Sequence, residues 1–84
     1  MAHRSIRDFK AERAALTELT LEKASLEIKR FLSLDGQAYR EGALPVRTKE
    51  LLGLVASMVL RCDDCIFYHL DRCHDEGLSD EEIQ

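Results

Sequence analysis

Several residue types that shape folds are scarce in this sequence of 84 residues, which has no tryptophan, two tyrosines, three phenylalanines, one proline and four glycines. β-Branched residues never alternate with polar residues over the length of a strand, so the period of two that indicates a half-buried strand is missing. The longest apolar run, residues 54–60, is interrupted by Ser57 and is far shorter than the ~20 residues that a membrane span needs. The sequence therefore predicts an all-α protein without a transmembrane helix.

An excess of positive charge is also absent. Twelve lysines and arginines stand against sixteen aspartates and glutamates, and the formal net charge is -4, which argues against binding of nucleic-acid phosphates. Residues 1–8 are polar and contain no apolar region ahead of a small-residue cleavage site, as a signal peptide would. We therefore expect a cytoplasmic protein that binds neither nucleic acid nor membranes.

The short chain limits the size of the hydrophobic core. A domain of this length buries only about 60% of the surface that its unfolded chain exposes, and such domains usually need a disulfide, a metal or a partner subunit. Since 45% of the residues are hydrophobic, apolar surface is available for self-association. We expect one domain over residues 1–84, a small helical bundle completed by homo-oligomerisation.

Apolar spacing, together with helix start and stop residues, predicts the helices. They are expected at about residues 5–16, 21–40, 46–60 and 62–76, and the Ser79-x-x-Glu82 capping box announces a fifth. Gly42 is predicted to end the second helix in a left-handed conformation, and the apolar stripe of the third helix is predicted to be core or subunit interface. Because only Ile83 and Gln84 follow the capping box, we expect the closing helix of the fold to be missing.

The candidate chemistry lies in Cys62, Cys65 and His69, which are separated by three and four residues and so share one helix face. In a reducing compartment a close cysteine pair indicates a metal-binding or redox function rather than a structural disulfide. Asp63 and Asp64 disfavour a further negative charge beside them. His69 is therefore the candidate base that takes the thiol proton.

Glu50 can join this group only if the chain turns near Arg61. In one unbroken helix Glu50 would lie about 18 Å from Cys62, at 1.5 Å per residue. In an antiparallel hairpin, Glu50 would instead face residues 69–73 and contact His69 directly or through water. The proton relay thus requires the turn.

The order Glu50, Cys62, Cys65 and His69 resembles the Glu…Cys-x-x-Cys-x-x-x-His pattern of alkylhydroperoxidase D and its relatives in the carboxymuconolactone decarboxylase superfamily. The resemblance covers about residues 31–84. It includes two flanking segments, residues 44–51 and 77–83. Because relatives similar to the decarboxylase itself lack the dithiol, the resemblance favours the peroxidase branch.

This resemblance implies an all-α bundle that assembles as trimers or hexamers and reduces peroxides with electrons from a dithiol protein, lipoylated or thioredoxin-like. It implies that Cys65 is the peroxidatic thiolate and Cys62 the resolving thiol. His69 and Glu50 would form the proton relay. No metal or organic cofactor is implied.

Other interpretations stay open from the sequence. The two thiols could form a zinc site with His69 or His74, or report oxidation without turnover, or belong to a non-catalytic member of the family. Cys73, four residues after His69, is more typical of a packing residue. The sequence does not decide the role of Cys73 or of His74.

Overall fold

The computed structural model describes residues 5–84, in which every regular element is a helix. The helices are α1 (Ile6–Lys23), α2 (Leu26–Ala38), α3 (Val46–Val59), α4 (Asp63–Asp75) and α5 (Asp80–Ile83). The prediction of an all-α fold is confirmed. The first helix is longer than predicted, and the second is shorter because Ala24 is extended and Ser25 caps α2 by accepting from the Ile28 amide at 3.3 Å.

The chain divides into two compact units, one that ends at Ala38 and one that runs from Tyr39 to Gln84. In the first unit, α1 begins with a capping box in which Ser5 and Asp8 satisfy each other's amides. Most large apolar side chains of α1 and α2 are exposed: Ile6, Leu16, Leu19, Leu21, Leu26, Ile28, Phe31, Leu32 and Leu34. One domain over residues 1–84 stays a prediction.

In the second unit, a tight turn at Arg61 joins α3 and α4 into a helical hairpin. The Arg61 amide donates to the Met58 carbonyl at 3.1 Å, and the Cys62 amide donates to the Ser57 carbonyl at 3.0 Å. This is a Schellman motif, whose left-handed position is usually glycine. Arg61 occupies it with φ 55°, and the predicted bend is confirmed.

A second Schellman motif ends α4. Gly77 has φ 81°, and the Leu78 amide donates to the Cys73 carbonyl at 3.1 Å. The predicted capping box then starts α5. Hydrogen bonds from Ser79 and the charge of Arg47, 2.7 Å away, hold the pKa of Glu82 below its ordinary value.

The prediction for Gly42 is wrong. Gly42 is not left-handed, because α2 has already ended at Ala38.

The core of the second unit is a cluster of Leu54, Cys73 and Leu78. Four partly buried side chains pack against it: Leu51, Ile66, Leu70 and Ile83. The apolar stripe of α3 is therefore divided, since Leu51 and Leu54 face the core while three further members are exposed: Val55, Met58 and Val59.

Among the described residues, no helix has the length and apolarity that crossing a membrane would require.

Candidate functional site

The buried face of α3 carries a carboxylate into the hairpin. Glu50 shares this face with Leu54 and Ser57 and is only 1% exposed. Its Oε2 atom lies 2.8 Å from Nδ1 of His69 on α4, which is 9% exposed. Two residues nineteen positions apart therefore meet because the chain reverses at Arg61.

This contact determines which nitrogen of His69 is available for proton transfer. When the Glu50 carboxylate is ionised it can only accept hydrogen bonds, and in a neutral ring Nδ1–H of His69 then donates to it. The other nitrogen, Nε2, is then left with a lone pair. With a lone pair on Nε2, the ring can take a proton from a thiol, and a carboxylate behind it can stabilise the resulting cation.

The ring of His69 is packed on three further sides. A tilted Tyr39 ring lies 5.4 Å away between centroids, and Tyr68 meets the His69 ring edge-on at 5.1 Å. Gly53 lies so close that a Cβ at this position would be 2.6 Å from Cε1 of His69 and 2.7 Å from the Tyr39 hydroxyl. A glycine is therefore needed here for the ring to reach Glu50.

Arg72, three residues after His69 on α4, approaches the second oxygen of Glu50. Its Nε lies 3.6 Å from Oε1 of Glu50, while Nη2 donates to Glu76 at 2.9 Å. Burial lowers the pKa of Arg72, but attraction by Glu50 and Glu76 outweighs that effect and raises the pKa above its ordinary value. The buried carboxylate thus has a permanent cation beside it.

The dithiol lies at the start of α4. Cys62 is the N-cap residue in extended conformation, and its Sγ lies 2.7 Å from Sγ of Cys65. A disulfide bond is about 2.05 Å long, so the two sulfurs need to approach by only roughly 0.7 Å to form one. Cys65 is exposed and Cys62 is half-buried, and the helix N-terminus favours a negative charge on the first turn.

The third cysteine has different surroundings. Cys73 is fully buried beside Leu54 and Leu78. Burial raises the pKa of its thiol, and the charge of Glu50 raises it further. Cys73 is thus a protonated core residue, and His74 is exposed. Within residues 5–84, no three side chains of His, Cys, Asp or Glu converge on a point that could hold a metal ion.

Comparisons with known proteins match this arrangement to a family. The sequence profile of the carboxymuconolactone decarboxylase family matches residues 28–84. The chain belongs to this family. It is 36% identical over 70 residues to "Uncharacterized protein 4 in cox locus" of Paracoccus denitrificans, covering 83% of this chain and 62% of that protein. The chain thus spans less than two thirds of the length of this curated relative.

Two crystal structures of one Thermotoga maritima protein, TM1620, are also similar to this carboxymuconolactone decarboxylase family member. The first has a TM-score of 0.87 at 58% identity and covers 92% of this chain and 68% of that one. The second has a TM-score of 0.82 at 59% identity and covers 89% and 63%. It is described as a carboxymuconolactone decarboxylase family protein with a possible involvement in the antioxidative response.

The sequence predicts four site residues in this family member, and the structure pairs Glu50 with His69 and Cys62 with Cys65. Their roles stay predictions. Three other residues at the site were not predicted from the sequence: Gly53, Arg72 and Tyr39. A glycine inside a helix signals a close approach, and Arg72 lies one turn beyond His69. No local signal marks Tyr39, which precedes α3.

Proposed function

We propose that this member of the carboxymuconolactone decarboxylase family is a thiol-dependent peroxidase or disulfide reductase, which uses the Cys62–Cys65 dithiol with a Glu50–His69 proton relay. The observation that carries the proposal is the pair of thiols 2.7 Å apart at a helix N-terminus, followed one turn later by a histidine bonded to a buried carboxylate. A close, accessible dithiol beside a base is suited to two-electron redox chemistry.

In the first step, His69 accepts the proton of Cys65, and the thiolate attacks a peroxide oxygen. The O–O bond breaks, Cys65 is oxidised to a sulfenic acid, and the leaving alkoxide takes the proton from His69 and departs as an alcohol. Cys65 is suited to this step because it is the exposed member of the pair. General-base assistance of this kind contributes about 10²- to 10⁴-fold in rate.

In the second step, the thiol of Cys62 attacks the sulfenic sulfur of Cys65. An S–S bond forms, the S–O bond breaks, and water leaves with the proton from Cys62. A dithiol protein, lipoylated or thioredoxin-like, then reduces the Cys62–Cys65 disulfide and is itself oxidised to a disulfide. Peroxide and dithiol are thus converted into alcohol, water and the disulfide of the donor.

The Thermotoga maritima protein supports an antioxidative function, since it is described as possibly involved in the antioxidative response. We place the activity in the cytoplasm, where dithiol donors are kept reduced. We also propose that the chain acts as a homo-oligomer, a trimer or hexamer. Exposed apolar residues of α3 support self-association, with Val55 59%, Met58 57% and Val59 77% exposed.

A trapping experiment assigns the two thiols. The Cys62→Ser variant, treated with one equivalent of hydrogen peroxide, should accumulate a sulfenic acid on Cys65 that a cyclic 1,3-diketone captures for mass spectrometry. Cys65→Ser should form no adduct and consume no peroxide. The matched control is Cys73→Ser, which removes the buried third thiol and should still form the Cys62–Cys65 disulfide.

Each outcome bears on the proposal. A sulfenic acid on Cys62 in the Cys65→Ser protein would reverse the assigned roles. A wild-type protein that retains zinc after dialysis and does not react with peroxide would favour a metal-binding module instead. Oxidation of the dithiol without turnover, in the presence of lipoylated and thioredoxin-like donors, would favour a redox sensor.

A further inference from the structure

The two oxygens of the Glu50 carboxylate face different side chains of α4. Oε2 lies 2.8 Å from Nδ1 of His69, and Oε1 lies 3.6 Å from Nε of Arg72. We propose that Arg72 is a positioning residue, which fixes the Glu50 carboxylate so that this carboxylate holds His69 in the tautomer with a free Nε2. This inference rests on the proposed peroxidase function and adds a residue to its proton relay.

The guanidinium of Arg72 is itself held in place by two outer carboxylates. Its Nη2 donates to Glu76 at 2.9 Å, and its Nη1 lies 3.6 Å from Asp75. Asp75 is the last residue of α4 and Glu76 is its C-cap, at the i+3 and i+4 positions that face Arg72 along a helix. Because a guanidinium is planar and rigid, these two contacts direct its remaining Nε edge inward, to Glu50.

A buried carboxylate needs this support more than an exposed one would. Glu50 is 1% exposed, and a buried charge without a partner is strongly destabilising. The last torsion of a glutamate is soft, so a single contact to His69 leaves the carboxylate free to rotate. Contacts on both oxygens remove that freedom, as partners behind a functional histidine do in other sites.

Loss of Arg72 should therefore act on His69 through the Glu50 carboxylate. If the Glu50 carboxylate rotates or takes up a proton, Nδ1 of His69 loses its acceptor. The ring then carries its proton on Nε2 for part of the time. In that form His69 cannot take the proton of Cys65.

The test measures the His69 tautomer and the reaction rate separately. Nitrogen NMR of the reduced protein should show a single Nδ1–H tautomer in the wild type and a mixture in Arg72→Gln. Single-turnover oxidation of the dithiol by hydrogen peroxide should slow by about 10- to 100-fold in Arg72→Gln. Arg72→Lys, which keeps the charge but not the planar edge, should lie between the two in both measurements.

A matched control and two outcomes decide the inference. Arg47 lies on the first turn of α3 and forms an exposed ion pair with Glu82, with 2.7 Å between Nη2 and Oε2. Arg47→Gln removes this ion pair and should change neither the tautomer of His69 nor the rate of oxidation. An Arg72→Gln protein with wild-type tautomer and rate would overturn the proposal. If that variant does not fold, Arg72→Lys decides, and wild-type values for it in both measurements would overturn the proposal equally.

The two proposals can fail separately, because the tautomer is measured without peroxide. If the wild type does not react with peroxide, the peroxidase function is wrong. The NMR comparison of Arg72→Gln with the wild type still shows whether Arg72 positions Glu50 and His69.

Discussion

Replacing Gly53 by alanine should raise the helix propensity of α3 but displace the imidazole of His69. A Cβ at this position would lie 2.6 Å from Cε1 and 2.8 Å from Nδ1 of His69, and 2.7 Å from the Tyr39 hydroxyl. Separations below 3.0 Å are essentially never seen for real Cβ atoms. The imidazole must therefore move away from α3, although alanine is the better helix former.

The size of the effect follows from these distances. To restore an ordinary contact of 3.4 Å, the ring of His69 must move by 0.8 Å, the difference between 3.4 and 2.6 Å. A movement of that size along the Glu50–His69 hydrogen bond would stretch it from 2.8 Å to about 3.6 Å, beyond the usual limit for N–H···O bonds.

The energies at Gly53 act in opposite directions. Alanine gains about 1 kcal/mol in helix propensity, but overpacking costs about 1–3 kcal/mol, and a lost hydrogen bond to a charged group costs about 1.5–3 kcal/mol. We expect Gly53→Ala to lower the free energy of unfolding by about 1.5–5 kcal/mol in total. We also expect the oxidation of the dithiol by peroxide to slow by at least about tenfold.

The chain offers a matched control in Gly36, which also lies inside a helix. A Cβ at Gly36 would meet nothing within 4 Å, so Gly36→Ala should raise the free energy of unfolding by about 0.5–1 kcal/mol. Urea denaturation of both variants and single-turnover peroxide oxidation make the comparison. If Gly53→Ala is as stable as Gly36→Ala and reacts with peroxide at the wild-type rate, the steric conflict between a Cβ at position 53 and His69 does not exist.

Three further predictions concern the turns, the third thiol and the apolar surface. Arg61 and Gly77 both have left-handed backbone conformations, so Arg61→Gly should stabilise the protein by about 1 kcal/mol and Gly77→Ala should destabilise it by about 1–2 kcal/mol. Urea midpoints of the two variants equal to that of the wild type would contradict this prediction. Cys73, whose pKa is raised by burial and by the charge of Glu50, should resist iodoacetamide at pH 8 until urea is added, and mass spectrometry of the native protein checks this. The side chain of Val59 is 77% exposed, and Val59→Asp should weaken self-association and so lower the mass measured by light scattering. A monomeric wild type would contradict this prediction.

Local patterns were sufficient to predict the hairpin that carries the site. Apolar spacing and the capping signals located α3, α4 and α5 to within a few residues. Glu50 lies eleven residues before Arg61 and His69 lies eight after it. This spacing also predicted their contact, because residues at similar distances from a tight turn face each other. These features depend on residues that are close in sequence, and the hydrophobic periodicity of a helix reflects the spacing of such residues.

The remaining features depend on contacts that no local pattern encodes. The predicted second helix ran through Ser25, whose hydroxyl caps α2 only in a particular backbone conformation. Tyr39 reaches the ring of His69 from thirty positions away. Arg72 lies among residues 69–73, which the sequence places opposite Glu50, but its contact with the Glu50 carboxylate depends on the side-chain conformation. Whether exposed apolar residues such as Val59 face a partner is likewise a property of the assembled protein.

The α3–α4 hairpin departs from local preference at three places, and all three serve one arrangement. Arg61 occupies a left-handed position that glycine would fill at lower cost; Gly53 interrupts a helix that alanine would strengthen; and Glu50 carries a charge into the core. Such departures concentrate at functional sites, where stability is given up for geometry. Substitutions that restore the local preference should thus separate stability from activity. Arg61→Gly relieves backbone strain and leaves the Glu50–His69 relay intact, whereas Gly53→Ala raises the helix propensity of α3 but disrupts the relay.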